Sequence, residues 1–274
     1  MAPSPEVLEK FRSKVLRYYK AHGRDLPWRR TRDPYRILVS EIMLQQTQVD
    51  RVIDKYREFL RAFPSTRALA TAPLREVLAA WQGLGYNRRA VMLKRAAEAI
   101  LASHGGKVPA GVEALDALPG IGHATACAIC AYAFNEPVVY IETNIRSVFL
   151  HEFFGDRKGV RDDELLPLVE AALDRRNPRD WYNALMDYGV RLKAQHDNPS
   201  RRSASHSRQS RFEGSDRQIR GAIVRELVRS GAQSRSAIVR KVDGEERRVE
   251  RIIGVLIKEG MLTERRGQLC VPEM

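Results

Sequence analysis

Leu115-Asp-Ala-Leu-Pro-Gly-Ile-Gly-His-Ala-Thr125 is the stretch that decides the fold. Two glycines flank one apolar residue between two segments of helical periodicity. Gly120 and Gly122 let the backbone turn tightly and come close to a ligand. The helix that follows, from near His123, offers free N–H groups at its positive end, where a phosphate fits without a charged side chain. A bare Gly-x-Gly fits an ordinary helix-helix turn equally well. The whole Leu-Pro-Gly-Ile-Gly-x-x-Thr string points further, to a hairpin that grips a phosphate backbone.

Outward from this hairpin the chain reads as almost entirely helical up to about residue 197. Apolar residues recur at i, i+3, i+4 spacing over 36–61, 73–81, 88–104, 124–134, 143–154 and 163–175. Phe63-Pro-Ser65, Gly83-Leu-Gly85 and His104-Gly-Gly106 mark breaks, and only Pro137-Val-Val-Tyr-Ile141 reads as briefly extended. The expected class is all-α. Residues 198–215 are polar and rich in Ser and Arg, and are expected to form a linker or basic arm. Arg201, Arg202, Arg208 and Arg211 are its candidate phosphate contacts, with a disordered tether as the alternative. Residues 216–274 carry three helical patterns (216–230, 234–241, 245–259) and two short strands turned at Arg266-Gly267, a winged-helix-like plan. Two domains, 1–197 and 216–274, joined by the linker or arm at 198–215, are therefore expected.

Charge narrows the function. Lys and Arg number 47 against 34 Asp and Glu, for a net charge of +13. Such an excess favours a polyanionic partner, nucleic acid first. No apolar run is long enough for a membrane span, and the amphipathic first twenty residues have no secretory core, so a cytoplasmic protein without a membrane partner is expected. The chain has three cysteines. Cys127 and Cys130 lie in Thr125-Ala-Cys-Ala-Ile-Cys-Ala-Tyr-Ala-Phe134, a small apolar run that reads as a packed helix face rather than a metal site.

The hairpin string resembles the helix-hairpin-helix of the endonuclease III superfamily of DNA glycosylases. The resemblance runs over residues 24–195 through Leu26-Pro-Trp-Arg29, Asp33-Pro-Tyr35, Ser40-Glu-Ile-Met-Leu-Gln-Gln-Thr-Gln-Val49 and Trp81-Gln-Gly-Leu-Gly-Tyr86. These strings are similar to the adenine DNA glycosylase branch, which removes adenine opposite guanine or 8-oxoguanine. The implied fold is a helix-hairpin-helix glycosylase domain followed by the small winged-helix-like unit. The implied partner is double-stranded DNA with a mispaired or damaged base, bound by a monomer.

Breaking an N-glycosidic bond requires a proton for the departing base and relief for positive charge on the sugar, so two carboxyl groups serve it. Glu41 is the candidate acid: it lies in Ile37-Leu-Val-Ser-Glu-Ile-Met-Leu44, where apolar surroundings would favour its protonated form. The resemblance places a second carboxylate after the hairpin, in a hydrophobic-Asp-x-Asn pattern. Here Glu142 holds that place in Tyr140-Ile-Glu-Thr-Asn-Ile-Arg146, with Asn144 supporting the pocket. An anchor for the helix starting near Thr143 is the alternative role for Glu142. Lyase-competent relatives carry a Schiff-base lysine just after the hairpin; Ala124 stands there, which implies base removal without strand cleavage.

The resemblance also assigns contacts. Gln45, Gln46, Thr47 and Tyr86 fill the space left by a flipped base and touch its orphaned partner. Gly120, Gly122, Ala124 and Thr125 meet the backbone, and Arg88, Arg89 and Lys94 are further phosphate candidates. Many relatives hold an iron–sulfur cluster with four cysteines after the last helix. Ala194-Gln-His-Asp-Asn-Pro-Ser-Arg-Arg-Ser-Ala204 has none, so no cluster and no required cofactor are expected, although a monovalent cation at the hairpin fits the resemblance. Mismatch thymine or uracil removal and a non-catalytic DNA-binding module are the competing readings.

Overall fold

The computed structural model describes residues 3–207 and 211–273. In chain order it holds α1 (Pro5–His22), α2 (Pro34–Leu44), α3 (Val49–Ala62), α4 (Thr66–Thr71), α5 (Leu74–Ala80), α6 (Arg88–His104), α7 (Val112–Asp116), α8 (His123–Ile129), α9 (Thr143–Phe153), α10 (Asp162–Ala172), α11 (Pro178–Gln195) and α12 (Asp216–Ser230). Then come β1 (Gln233–Ser234), α13 (Arg235–Lys241), α14 (Glu246–Lys258), β2 (Thr263–Arg265) and β3 (Gln268–Cys270). The chain is therefore helical apart from one small sheet. No helix among the described residues is long and apolar enough to cross a membrane.

The chain divides into two compact units. The first comprises Met1–Ile37, Ala110–Asp116 and Gly122–Arg208. Its core gathers aromatic residues from α1, α9 and α11: the Phe11 ring stands edge-on to Phe149 at 5.3 Å and to Trp181 at 5.8 Å. Burial of such rings supplies most of the cohesion. The extended run predicted at 137–141 carries no strand. It is held instead by the Tyr182 hydroxyl, which donates to the Val138 carbonyl at 2.6 Å, and by Tyr140 packed on the Tyr182 ring. Part of the expected linker is also built into this unit. Pro199–Arg202 form a 3-10 turn, and Ser203 bridges to Val160. The arm's Arg208 lies outside the described residues.

The second unit comprises Leu38–Pro109, Ala117–Ile121 and Gln209–Met274. Phe59, Leu78, Trp81, Leu93 and Ile100 are fully buried in it. The periodicity that predicts one helix over 36–61 is cut in the structure: α2 stops at Leu44 and α3 starts at Val49. Gln46, between them, has φ +53°, a left-handed conformation that ends a helix. In the C-terminal part, α12, α13 and α14 cover the predicted helical ranges. The sheet has one strand more than predicted: β3 pairs antiparallel with both β1 and β2, in the order β1-β3-β2. Two residues of β1 are too short a run for alternation to show.

Candidate functional site

In the second unit, Glu41 sits in the last two turns of α2, half-buried between fully buried neighbours, Ser40 on one side and Ile42 and Met43 on the other. The helix then breaks into the Gln45–Thr47 turn, with Gln45 and Thr47 partly buried and Gln46 exposed. Arg89, from the first turn of α6, explains the break. Its guanidinium donates to the carbonyls of Ile42 and Met43 at 2.9 Å each, to that of Gln45, and to the Thr47 hydroxyl at 2.9 Å. The same group donates to the carbonyls of Leu84 and Gly85 at 3.2 Å each. One side chain thus satisfies the carbonyls that an ending helix leaves open and ties that end to the turn carrying Tyr86. Burial lowers the Arg89 pKa to about 10, which leaves it cationic at neutral pH.

Arg89 is therefore not the phosphate contact that the sequence suggested; its donors face inward. Lys94 is corrected likewise. It is buried, with its ammonium on the Ala70 carbonyl at 2.8 Å and the Glu98 carboxylate at 2.6 Å. Of the three, Arg88 alone is exposed, at the first position of α6. Tyr86 is partly exposed and takes φ +48°, a costly conformation for an aromatic residue. Its ring lies between two guanidinium groups, with the Arg89 and Arg217 Cζ atoms each 5.4 Å from its centroid. Arg217, on α12, also donates to the Tyr86 hydroxyl at 2.6 Å. Nothing in the sequence marked Arg217, which lies 131 positions away in a basic segment.

The two hairpin glycines have different reasons. Gly120 takes φ +76°, and a Cβ there would lie 2.4 Å from the Met92 Cβ. Only glycine permits that approach to α6. Gly122 has ordinary φ of −98° and is the N-cap of α8. A Cβ at Gly122 would meet nothing within 4 Å, so its surface is open. Ala124 is exposed and Thr125 half-buried in the first turn of α8. The sequence foresaw both glycines but could not separate packing from access.

In the first unit, Glu142 is partly buried at the N-cap of α9, where its carboxylate accepts from the N–H groups of Asn144 and Ile145, the latter at 3.1 Å. Burial raises its pKa; the two N–H groups and the Lys193 ammonium act against that rise. Lys193 is a site residue that sequence reasoning missed. Its ammonium donates to the Asn144 side-chain oxygen Oδ1 at 2.9 Å, and burial lowers its pKa. Helices α9 and α11 approach closely here because position 189 is glycine: a Cβ would lie 2.8 Å from the Asn144 Cβ. Gly189 and Lys193 are one helical turn apart, so the glycine admits Asn144 and the lysine holds it. A small residue followed at i+4 by a lysine on an otherwise packing helix was the available signal.

One further charge cluster fixes α11. Asp187 is buried and accepts from Arg24 at 2.6 Å and from both terminal nitrogens of Arg29 at 2.7 and 2.9 Å. Burial alone would raise the Asp187 pKa, but Arg29 and Arg24 hold it below the ordinary value. The Leu-Pro-Trp-Arg string thus serves an internal ion pair.

No group of three or more His, Cys, Asp and Glu side chains that could hold a metal occurs among the described residues. A four-thiolate cluster does not fit this chain. Cys127 and Cys130 are buried, and burial pushes their thiols up to about 11 and about 12, away from the thiolate that a ligand needs. The remaining cysteine, Cys270, is half-buried in β3.

Residues 39–169 match the model of the HhH-GPD superfamily of base excision DNA repair proteins. An adenine DNA glycosylase of Mycolicibacterium smegmatis is 34% identical over 227 residues, covering 77% of this chain and 78% of that protein. An adenine DNA glycosylase of Mycobacterium tuberculosis is 42% identical over 142 residues, covering 52% of this chain and 47% of its own length. The match thus spans about half of that relative. The solved structure of a thermostable thymine-DNA glycosylase superposes with a TM-score of 0.61 at 28% identity, over 68% of this chain and 87% of that one. On the strength of the similarity to the Mycolicibacterium protein, which extends over most of both sequences, this chain belongs to the HhH-GPD superfamily of base excision DNA repair proteins.

Proposed function

We propose that this protein is a DNA glycosylase that hydrolyses the N-glycosidic bond of a flipped, mispaired adenine opposite guanine or 8-oxoguanine. The observation that carries the proposal is Glu41, half-buried in the last turns of α2 and followed at once by the Arg89-secured turn of Gln45, Gln46 and Thr47. Glu41 gives its proton to the adenine ring as the bond between C1′ and the base nitrogen breaks, and the electron pair leaves with the base. Water then adds to C1′, and its proton returns to the Glu41 carboxylate. Glu142 in its ionised form faces the positive sugar, directly or through water. Burial opposes that form and raises the Glu142 pKa, while the N–H groups of Asn144 and Ile145 and the Lys193 ammonium act in its favour.

Ala124 provides no amine at the position where lyase-competent relatives form a Schiff base, and the Lys193 ammonium is engaged by Asn144. The product is then an abasic site in an intact strand. The open surface over Gly122 and the first turn of α8 would meet the DNA backbone; a monovalent cation held by the hairpin at Gly120–Gly122 would add positive charge for a phosphate. Residues 1–197 form the glycosylase domain in this reading, 198–215 the basic arm, and 216–274 a winged-helix-type unit. The net charge of +13 suits the duplex partner.

A second reading, removal of thymine or uracil, has support in the similarity to the thermostable thymine-DNA glycosylase structure. A panel of duplexes carrying A, T, U or hypoxanthine opposite G or 8-oxoguanine tests both. Adenine release, with strand scission only after alkali, supports the proposal. Release of thymine or uracil alone moves the chain to the second reading, and no release from any duplex removes the catalytic proposal.

A further inference from the structure

Glu142 is a long side chain for the start of a helix, where short polar residues are preferred. Its carboxylate nevertheless reaches the Asn144 and Ile145 N–H groups, and both bonds end on the same oxygen, Oε1. The first turn of α9 therefore seats that carboxylate, and α11 holds the turn. Lys193 Nζ donates to Asn144 Oδ1 at 2.9 Å, and Asn144 Nδ2 reaches Met186 Sδ at 3.6 Å. Gly189 admits the turn, since a Cβ there would lie 2.8 Å from the Asn144 backbone oxygen as well as from its Cβ. The other charges on the elements packed against α9 are engaged elsewhere. On α11, Asp187 takes Arg24 and Arg29; on α10, Asp162 takes Arg146; in the Pro199–Arg202 turn, Arg202 pairs with Asp156 at 3.6 Å. His151 and Glu152 lie more than two turns along α9, and Glu152 accepts from Lys14 and from the Tyr188 hydroxyl. Lys193 is the cation that acts on Glu142.

We propose that Lys193 is a positioning residue for base excision: it clasps the α9 turn that seats the Glu142 carboxylate and provides that carboxylate with its counter-charge. The inference rests on the reading of Glu142 as the group that meets the positive sugar. Burial favours the neutral acid at Glu142, and a neutral acid gives little help to an oxocarbenium-like sugar. The ammonium opposes that neutralisation. Lys193 is itself partly desolvated, and burial lowers its pKa while Glu142 raises it. The two groups therefore hold each other in the charged form. Without the ammonium, Glu142 would keep its N–H partners alone, and its ionisation would move to higher pH. Without the clasp, Asn144 would lose its hold on α11, and the N–H groups that fix Oε1 would be less well placed. Lys193 thus acts through Glu142 and Asn144.

The test compares wild type, Lys193→Met, Lys193→Gln and Lys193→Arg in single-turnover excision of adenine from an A:8-oxoguanine duplex across a pH series. Thermal melting at each pH confirms that every variant is folded. The Glu142 carboxylate is titrated in parallel, without DNA, by NMR of protein labelled with carbon-13 at the glutamate carboxyls, its signal assigned by its absence from Glu142→Gln. Wild-type excision should fall on the acid side as Glu142 takes up its proton. Lys193→Met should move that acid limb and the Glu142 titration up by about one pH unit, a tenfold loss of rate on the limb. Lys193→Gln, which keeps a donor for Asn144 Oδ1 but no charge, should move both as far. Lys193→Arg should return both towards their wild-type positions. On the plateau, Lys193→Met should be slower than Lys193→Gln, because only the amide still holds Asn144. A loss by one common factor at every pH, the same in Lys193→Arg as in Lys193→Met, would make Lys193 a packing residue and overturn the proposal. So would a Glu142 titration in Lys193→Met that matches wild type. A Glu142 titration that shifts in Lys193→Met while wild type excises nothing would keep the coupling of the two groups and remove the glycosylase reading; excision by wild type with a limb and a titration indifferent to Lys193 would do the reverse.

Discussion

The two units secure their motif residues by opposite electrostatic means. In the first, the arginines of the motif strings are neutralised: Asp187 receives Arg24 and Arg29, and Arg146 is paired with Asp162 at 2.8 and 2.7 Å, while Arg179, outside those strings, donates to the Arg29 and Thr31 carbonyls. In the second, Arg89 is held by backbone carbonyls and a hydroxyl, and its positive charge is retained next to Tyr86. The first arrangement fixes a helix, since two cations sharing one buried carboxylate cannot be moved cheaply. The second fixes two turns and leaves the field of a cation beside an open aromatic surface. A paired-ion framework is thereby distinguished from two turns held beside an unpaired charge.

The largest expected break is in the framework. Asp187→Ala leaves two partly buried guanidinium groups without their carboxylate, and the loss should be about 3–5 kcal/mol of stability. Denaturant titration of the variant checks this. A loss under 1 kcal/mol would show that the pair is solvated and that the contrast between units is false. In the second unit, Gly120→Ala places a Cβ against Met92 in a left-handed backbone, and about 1–3 kcal/mol should be lost. Gly122→Ala meets no atom and should leave stability nearly unchanged while weakening duplex binding. Equal stability losses at the two glycines would erase the separation of packing from access.

A smaller effect sharpens the account of Glu142. Its pKa is raised in the folded protein, so its contribution to stability is complete below the ordinary value of 4.5 and is lost as pH rises through the raised value. Glu142→Gln removes that titration and keeps an oxygen for the helix cap. The stability of this variant relative to wild type should therefore rise between pH 4.5 and neutrality and then level off, as read by thermal melting across that range. A difference that is constant with pH would mean that burial does not dominate at this carboxylate.

The helices were legible where their apolar period was local, and the elements of the C-terminal segment were legible almost residue by residue. The break at Gln45–Gln48 was not, because Ile42, Met43, Val49 and Val52 sustain the apolar pattern across it. What ends α2 is Arg89, more than forty residues later, and a single sequence carries no trace of that pairing. Arg217 and Lys193 escaped for the same reason: a long cation reads as a solvated face until its partner is known. Glu142 was legible as an acid and as a helix cap together, and the structure shows the cap. Gly120 and Gly122 were legible as a pair, and only the folded structure separates the packed one from the open one.

The most direct measurement of the central claim is single-turnover excision of adenine from an A:8-oxoguanine duplex by wild type and Glu41→Gln, with duplex affinity measured in parallel. Glu41→Gln should slow excision by about 10³-fold or more while binding the duplex as wild type does. Release of adenine by Glu41→Gln at the wild-type rate would contradict the assignment of Glu41 as the proton donor.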